Sequence, residues 1–389
     1  MNRRKNLFEL MGTVILLVAL SVPIMQCAPA AEEAGTYENY VASLPEGCFP
    51  VPRDCYEQAI EEGELYIYNW ADWWPEEIYT DFENEFGIKV TFDPLSSTDE
   101  QVAKFKLTSD VEYDLTAVGP KGYLRLKEID VLAKANPDWL PNVNEYLPEP
   151  IKEIRFSSEN PYTVPIDTFF NDYIYNKKYV AENDPRIGSY ALLFENEEHA
   201  GRITWIDDMF DVIGAALLYL DYSFNSVDEA ELTEAKELLL RQKPFLMAWD
   251  SLPKKSLVSG EAWISMGYSG DMRMLNLDDP ETFEVVMPQE GALYGMDKIV
   301  FPIGGKHRAA AHLFTNYFHR PQVYMTFMGD FPAGCVNLAA AELLPEEWKS
   351  FLDINPTEEY LAKCEVATRQ CFTGKGLELR TAVWEELKG

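Results

Sequence analysis

The 389-residue sequence is poor in the residues that carry metal, redox and phosphate chemistry. It holds only four histidines (His199, His307, His312, His319) and six cysteines. None of the histidines stands at zincin spacing and no Cys-x-x-Cys occurs, so no metal site is expected. A glycine-rich phosphate loop is missing, and no cofactor is expected. Gly267-Tyr268-Ser269-Gly270 misses the G-x-S-x-G nucleophile elbow by one position. Basic residues are scarce too: 33 Lys+Arg against 65 Asp+Glu give a formal net charge of −32. Such a chain repels phosphate backbones and anionic bilayers, which argues against nucleic-acid and membrane-surface partners. Its field attracts cations, although bulk acidity also serves solubility. Beyond the N-terminus no run is long and apolar enough to span a membrane.

What is abundant is aromatic: 9 Trp, 21 Tyr and 21 Phe, enough to fill a large core and line a pocket. The N-terminus reads as an export signal over residues 1–30. Arg3, Arg4 and Lys5 precede an apolar run from Val14 to Met25, followed by Cys27-Ala28-Pro29-Ala30-Ala31. Two processing routes fit: cleavage after Ala30 at an Ala-x-Ala site, or cleavage before Cys27 to leave a lipidated cysteine. Either predicts a periplasmic or otherwise extracytoplasmic protein, membrane-anchored if Cys27 is lipidated. In that oxidising setting Cys48 with Cys55, and Cys364 with Cys371, are each seven apart and can close small disulfide loops. Cys335 is left over.

Residues 31–62 are Pro- and Glu-rich and read as a tether. Regular structure is expected from Glu64. Leu65 to Trp70 suits a buried strand. Pro75 opens a helix with Ile78, Phe82 and Phe86 on its apolar face, stopped by Gly87. Ile88–Phe92 and Tyr113–Val118 are further strands, with a capping box at Thr98 and Gln101 between them. A Pro- and Asn-rich linker covers roughly 136–162, and Tyr162–Pro165 looks extended enough to cross between two lobes. A second series follows: strand Arg202–Ile206, helix Asp208–Leu220, a helix capped by Ser226, then strands near Ala262–Met266, Phe283–Met287 and Leu293–Pro302. From His307 the chain is mostly helical. Alternating strands and helices predict an α/β fold with largely parallel sheets.

In open α/β sheets ligands sit beyond the carboxyl ends of the strands. The residues there are Trp70, Trp73, Gly119–Lys121, Asp207–Asp211, Tyr268–Asp271 and Asp297. Rings and carboxylates together suit an organic ammonium, through cation–π attraction and charge-assisted hydrogen bonds. Asp208 and Asp211, three apart on one helix face, repel each other unless a cation relieves them. Core packing and helix capping explain any one of these residues equally well; the signal is their recurrence after several strands. A glycosidase-like acid pair is the enzymatic alternative, but no hydrolase pattern surrounds it, so no catalytic residue is assigned.

In these residues the chain resembles the periplasmic spermidine/putrescine-binding proteins of ABC importers, from about Glu64 to the C-terminus. The landmarks run in order: Leu65–Trp70, Phe82–Val90, Tyr113-Asp114-Leu115, Gly260-Glu261-Ala262 through Gly270-Asp271, Glu290-Gly291 before Met296-Asp297, and Asn316-Tyr317-Phe318 before Arg320-Pro321. The resemblance implies a type II two-lobed periplasmic-binding-protein fold. Each lobe is then a mostly parallel sheet flanked by helices, with the ligand cleft between them. Lobe 1 is expected over 63–163 and 298–340, lobe 2 over 164–297 and 341–389. It also implies a binding role, not an enzyme: a monomer that captures a polyamine and hands it to the permease subunits. Carried over one at a time, Trp70 is a stacking ring and Trp73 takes the place of a stacking Tyr. Asp208 and Asp211 hold an ammonium group, Tyr268 replaces a Trp, Asp271 matches an acid of the putrescine-preferring branch, and Asp297 is the central carboxylate. Phe331 stands near an expected Tyr, and Gln370 is a terminal polar contact.

Three departures stand out. Gly119-Pro120-Lys121 replaces a loop that normally offers Ser and an aromatic ring. Lys121 repels a diamine unless it points away or pairs with an acid. Gly295 stands where an aromatic residue precedes Met-Asp. One wall is therefore altered, and another organic cation or an amino-acid derivative is the alternative ligand.

Overall fold

A computed structural model describes residues 35–71, 73–107, 112–149, 151–152 and 161–389. The expected export signal, with Cys27, lies outside the described residues. Within them no helix is long and apolar enough to cross a membrane.

Among the described residues eleven strands join in one sheet: β1 (Glu64–Trp70), β2 (Lys89–Leu95), β3 (Leu115–Val118), β4 (Leu132–Ala133), β5 (Thr163–Asn176), β6 (Ile203–Trp205), β7 (Leu246–Trp249), β8 (Ile264–Tyr268), β9 (Phe283–Val286), β10 (Tyr294–Pro302) and β11 (Gly334–Cys335), with β4 attached to β10 and β9 and β11 to β5 off the main path. The order is β2-β1-β3-β10-β5-β8-β6-β7. At one end β1 runs parallel to β2 and β3; at the other β6 runs parallel to β7 and β8. The apolar run in β1 buries Leu65, Ile67 and Tyr68. The following helix, Glu76–Phe86, ends at Gly87, whose φ of 68° a side chain would resist and whose N–H bonds Glu83 O.

The two ends are two lobes, and β5 belongs to both. Its first half pairs antiparallel with β10, its second half with β8 and β9. The extended segment expected to cross between lobes is this 14-residue strand. One core gathers Ile78, Phe82, Phe314, Phe318 and Phe327. The other gathers Tyr173, Phe194, Trp205, Ile213, Leu239 and Leu387. The helix Met209–Tyr219 buries nine of its eleven residues in the second lobe, so the acids at its start are held on a rigid support.

Several local expectations are corrected. The supposed tether is folded: helices Tyr37–Ser43 and Arg53–Glu62 bury Tyr40, Tyr56 and Ala59 in the first core. The Tyr40 and Tyr56 rings stack at 4.7 Å, and Glu62 accepts the N–H groups of Ala309 and Ala310 at the start of the helix Arg308–Phe318. The linker is folded as far as it is described. Leu140, Val143 and Leu147 are buried, and Asn142 bonds Asn316 through both its backbone and its side-chain amide. The capping box lies one residue earlier than expected: Ser97 Oγ accepts from Glu100 N–H, and Glu100 accepts from Ser96. Gln101 instead turns inward to Thr116 and Ala117 O. Asp228, not Ser226, caps the helix Glu229–Gln242.

Neither expected disulfide loop is closed; all five described cysteines are free thiols. Cys55 points from its helix to Ala309 O (3.8 Å) while Cys48 lies toward Gln322, so the pair diverges. Cys364 turns to Tyr360 O and Cys371 to Thr368 O.

Candidate functional site

The acids of the second lobe are positioned by secondary structure. Asp208 is the N-cap of the helix Met209–Tyr219, its Oδ1 accepting Phe210 N–H at 2.8 Å. Asp211 lies in the first turn, where the helix dipole favours negative charge. It is buried and accepts the Tyr268 hydroxyl at 2.7 Å. Burial, and then the neighbouring Asp208, raise its pKa to about 7. Tyr268 ends β8 and opens the helix Ser269–Asp278, which carries Asp271 in its first turn. Burial raises Asp271 to about 6, eased by Lys254.

The central acid comes from the paired strands. Asp297 of β10 faces Asp167 of β5, with a bulge immediately after Asp297. Asp167 is completely buried, and among the described residues neither of its oxygens has a hydrogen-bond partner. Burial, and then Asp297, push it well above the usual carboxylate range. Burial also raises Asp297 to about 6. Lys298 follows on β10; its Nζ donates to Met296 O, and burial lowers it to about 8. Like-charged carboxylates in low dielectric ionise together only when a cation joins them.

Aromatic rings close the walls. Trp70 ends β1, half-buried beside Tyr68 and Leu95. Trp73 meets Phe331 edge-on at 6.0 Å. Phe331 crosses to the other lobe: a Cβ on Gly270 would stand 2.6 Å from its ring, so Gly270 is the room that Phe331 fills. The wall thought to be lost at Gly295 is rebuilt from the next strand. Phe169 is the register partner of Gly295 and lies over it, 2.1 Å from where a Cβ would be. Its ring meets Tyr268 edge-on at 5.3 Å.

Lys121 pairs with an acid, as the sequence required if it was to stay near the cleft. It sits at the start of the helix Pro120–Glu128 and ion-pairs across the cleft with Asp208. Its Nζ lies 5.3 Å from the Phe210 ring, which packs on Phe372. Gly119 brings that helix start against Asp297, where a Cβ would lie 3.2 Å from Oδ1.

The structure thus brings Asp208, Asp211 and Tyr268 together, and Trp73 with Phe331 against the helix of Asp271. Tyr268 also lies within electrostatic range of Asp297. Gln370 is not aimed at the acids: it is exposed, and its amide is spent on Asn225 O at 2.9 Å. Four residues escaped the sequence reading: Asp167, Phe169, Phe210 and Lys298. The first two sit on β5, opposite Asp297 and Gly295, a pairing visible only once the strand register is known.

One other acidic group can be weighed. Ligand atoms of Asp184, Glu198 and His199 lie within 4.8 Å of one another. Arg186 already bonds both Asp184 and Glu198 there, so a guanidinium fills the role of a cation.

The profile of the bacterial extracellular solute-binding proteins matches residues 77–353, well over half the chain. The chain belongs to this family. Among relatives of this solute-binding protein, the spermidine/putrescine-binding periplasmic protein of Salmonella typhimurium is 28% identical over 313 residues, covering 79% of this chain and 87% of that one. The putrescine/cadaverine-binding protein of Pseudomonas aeruginosa is 27% identical over 317 residues, covering 79% and 89%. Among solved structures, the TpPotD lipoprotein of Treponema pallidum is similar with a TM-score of 0.71 at 25% identity, covering 83% of this chain and 99% of that one. The two-lobed α/β architecture is that of periplasmic binding proteins, and the family places its members outside the cytoplasm.

Proposed function

We propose that this solute-binding protein captures a polyamine of the putrescine/spermidine class and delivers it to an ABC permease. The observation that carries the reading is the charge imbalance between the lobes. Five carboxylates (Asp167, Asp208, Asp211, Asp271, Asp297) stand with three lysines (Lys121, Lys298 and, near Asp271, Lys254), and burial holds four of the acids above their ordinary range. An organic polycation relieves that imbalance, and the rings of Trp70, Trp73, Tyr268, Phe169 and Phe331 suit its methylene spacers and ammonium faces. The relatives named for spermidine, putrescine and cadaverine support the same ligand class.

Binding, not catalysis, is the activity in this reading. The lobes are centred on 63–163 with 298–340 and on 164–297 with 341–389; residues 35–62 pack on the first, and so do Leu344 and Ile354 beyond the expected boundary. Ligand favours closure through its greater affinity for the closed state, and the closed monomer is what the permease meets. Processing at Cys27 anchors the mature chain by a lipid, which mass spectrometry of its N-terminus tests. The site itself is tested by Asp297→Ala. Removing the partner of a buried ammonium costs about 3–5 kcal/mol, a hundredfold or more in Kd for putrescine. A Kd equal to that of the parent, measured by calorimetric titration, contradicts the assignment.

A further inference from the structure

The Asp208–Asp211 pair already has its cation. Lys121 comes from the first lobe, Asp208 from the second, and the side chains of the two keep only 30% and 18% of their exposure. The Lys121 ammonium also faces the Phe210 ring, as a ligand ammonium would. The other acid, Asp211, is served by the Tyr268 hydroxyl. The acids left for a ligand are Asp271 and the Asp167–Asp297 pair: Lys254 and Lys298 act on them only through space, Lys298 donating to Met296 O, and among the described residues no hydrogen-bond partner reaches either Asp167 oxygen.

We propose that Lys121 is a specificity-determining residue that stands in for one ammonium group of the ligand, so that the cleft accepts a short diamine and rejects a triamine. The inference rests on the polyamine reading above and deepens it. A diamine places its two ammonium groups at Asp297 and Asp271. The third ammonium of a longer polyamine meets Lys121 at Asp208, and like charges held together in a partly desolvated cleft repel. Rejection then comes from a resident charge, and removing that charge admits the longer ligand.

The test is a set of calorimetric titrations with putrescine and spermidine on the parent, Lys121→Ala, Lys121→Met and Lys121→Arg. Thermal melts verify that each variant is folded. The parent is expected to bind putrescine at least tenfold more tightly than spermidine. Lys121→Ala and Lys121→Met should tighten spermidine at least tenfold relative to putrescine, and Lys121→Arg should keep the parent's preference. Lys121→Met preserves the aliphatic stem, so it separates charge from space. A ratio of the two affinities that is unchanged in both uncharged variants overturns the role of Lys121 and leaves the polyamine reading standing. Absence of binding of either amine to the parent and to every variant overturns both.

Discussion

Asp271 offers the cleanest perturbation, because burial is what raises it and the nearby Lys254 only eases the rise. Its pKa moves from 3.8 unfolded to about 6 folded. A raised acid binds more protons in the folded state than in the unfolded one between those values. Stability from this group therefore falls as pH rises from about 4 through 6, and the penalty is complete above about 7. At 1.36 kcal/mol per unit the shift corresponds to about 3 kcal/mol, and solvent on the part-exposed side chain reduces this to about 2. Asp271→Asn keeps the shape and removes the charge. Urea denaturation of the ligand-free protein should show the variant about 2 kcal/mol more stable than the parent at pH 8 and equal to it below pH 4. The same variant should bind putrescine about ten to a hundred times more weakly, since it loses a charge-assisted bond. A variant that is no more stable at pH 8, or whose advantage is the same at both pH values, refutes the claim that burial of this charge holds a cost in reserve for a cation.

Tyr268→Phe deletes the donor to Asp211 and leaves a buried acid short of a partner. The expected cost is about 1–3 kcal/mol in urea denaturation. Gly295→Phe drives a side chain into the Phe169 ring and should lower the melting temperature, while the double change with Phe169→Ala should recover most of it. All five described cysteines should react with a thiol reagent once the chain is unfolded without reductant, and dithiothreitol should leave the melting temperature unchanged. A fall on reduction contradicts the free-thiol arrangement.

The parts of the fold legible in the sequence are those written locally. The apolar run ending at Trp70, the helix face of Ile78, Phe82 and Phe86, and the stop at Gly87 each lie within one turn or strand. So do Asp208 and Asp211 at a helix start. The N-terminal helices escaped because they are short and separated by Pro45, Pro50 and Pro52, and the second buries only Cys55, Tyr56 and Ala59 on one narrow face. The aromatic rebuilt at Phe169 and the carboxylate at Asp167 escaped for a different reason: each is defined by a strand partner more than 120 residues away, which leaves no periodicity behind. Gly295 was the one trace, a missing side chain whose space something had to fill. Cysteine spacing misled because a seven-residue gap permits a loop without aiming either thiol at the other.

The most direct measurement of the central claim is calorimetric titration of the mature protein with putrescine at two salt concentrations and at pH 7.5 and 5. One-to-one binding that survives high salt and weakens at pH 5, where Asp271 and Asp297 hold protons, is the predicted result. No heat, or binding that salt abolishes and pH does not alter, contradicts a buried carboxylate site for an organic cation.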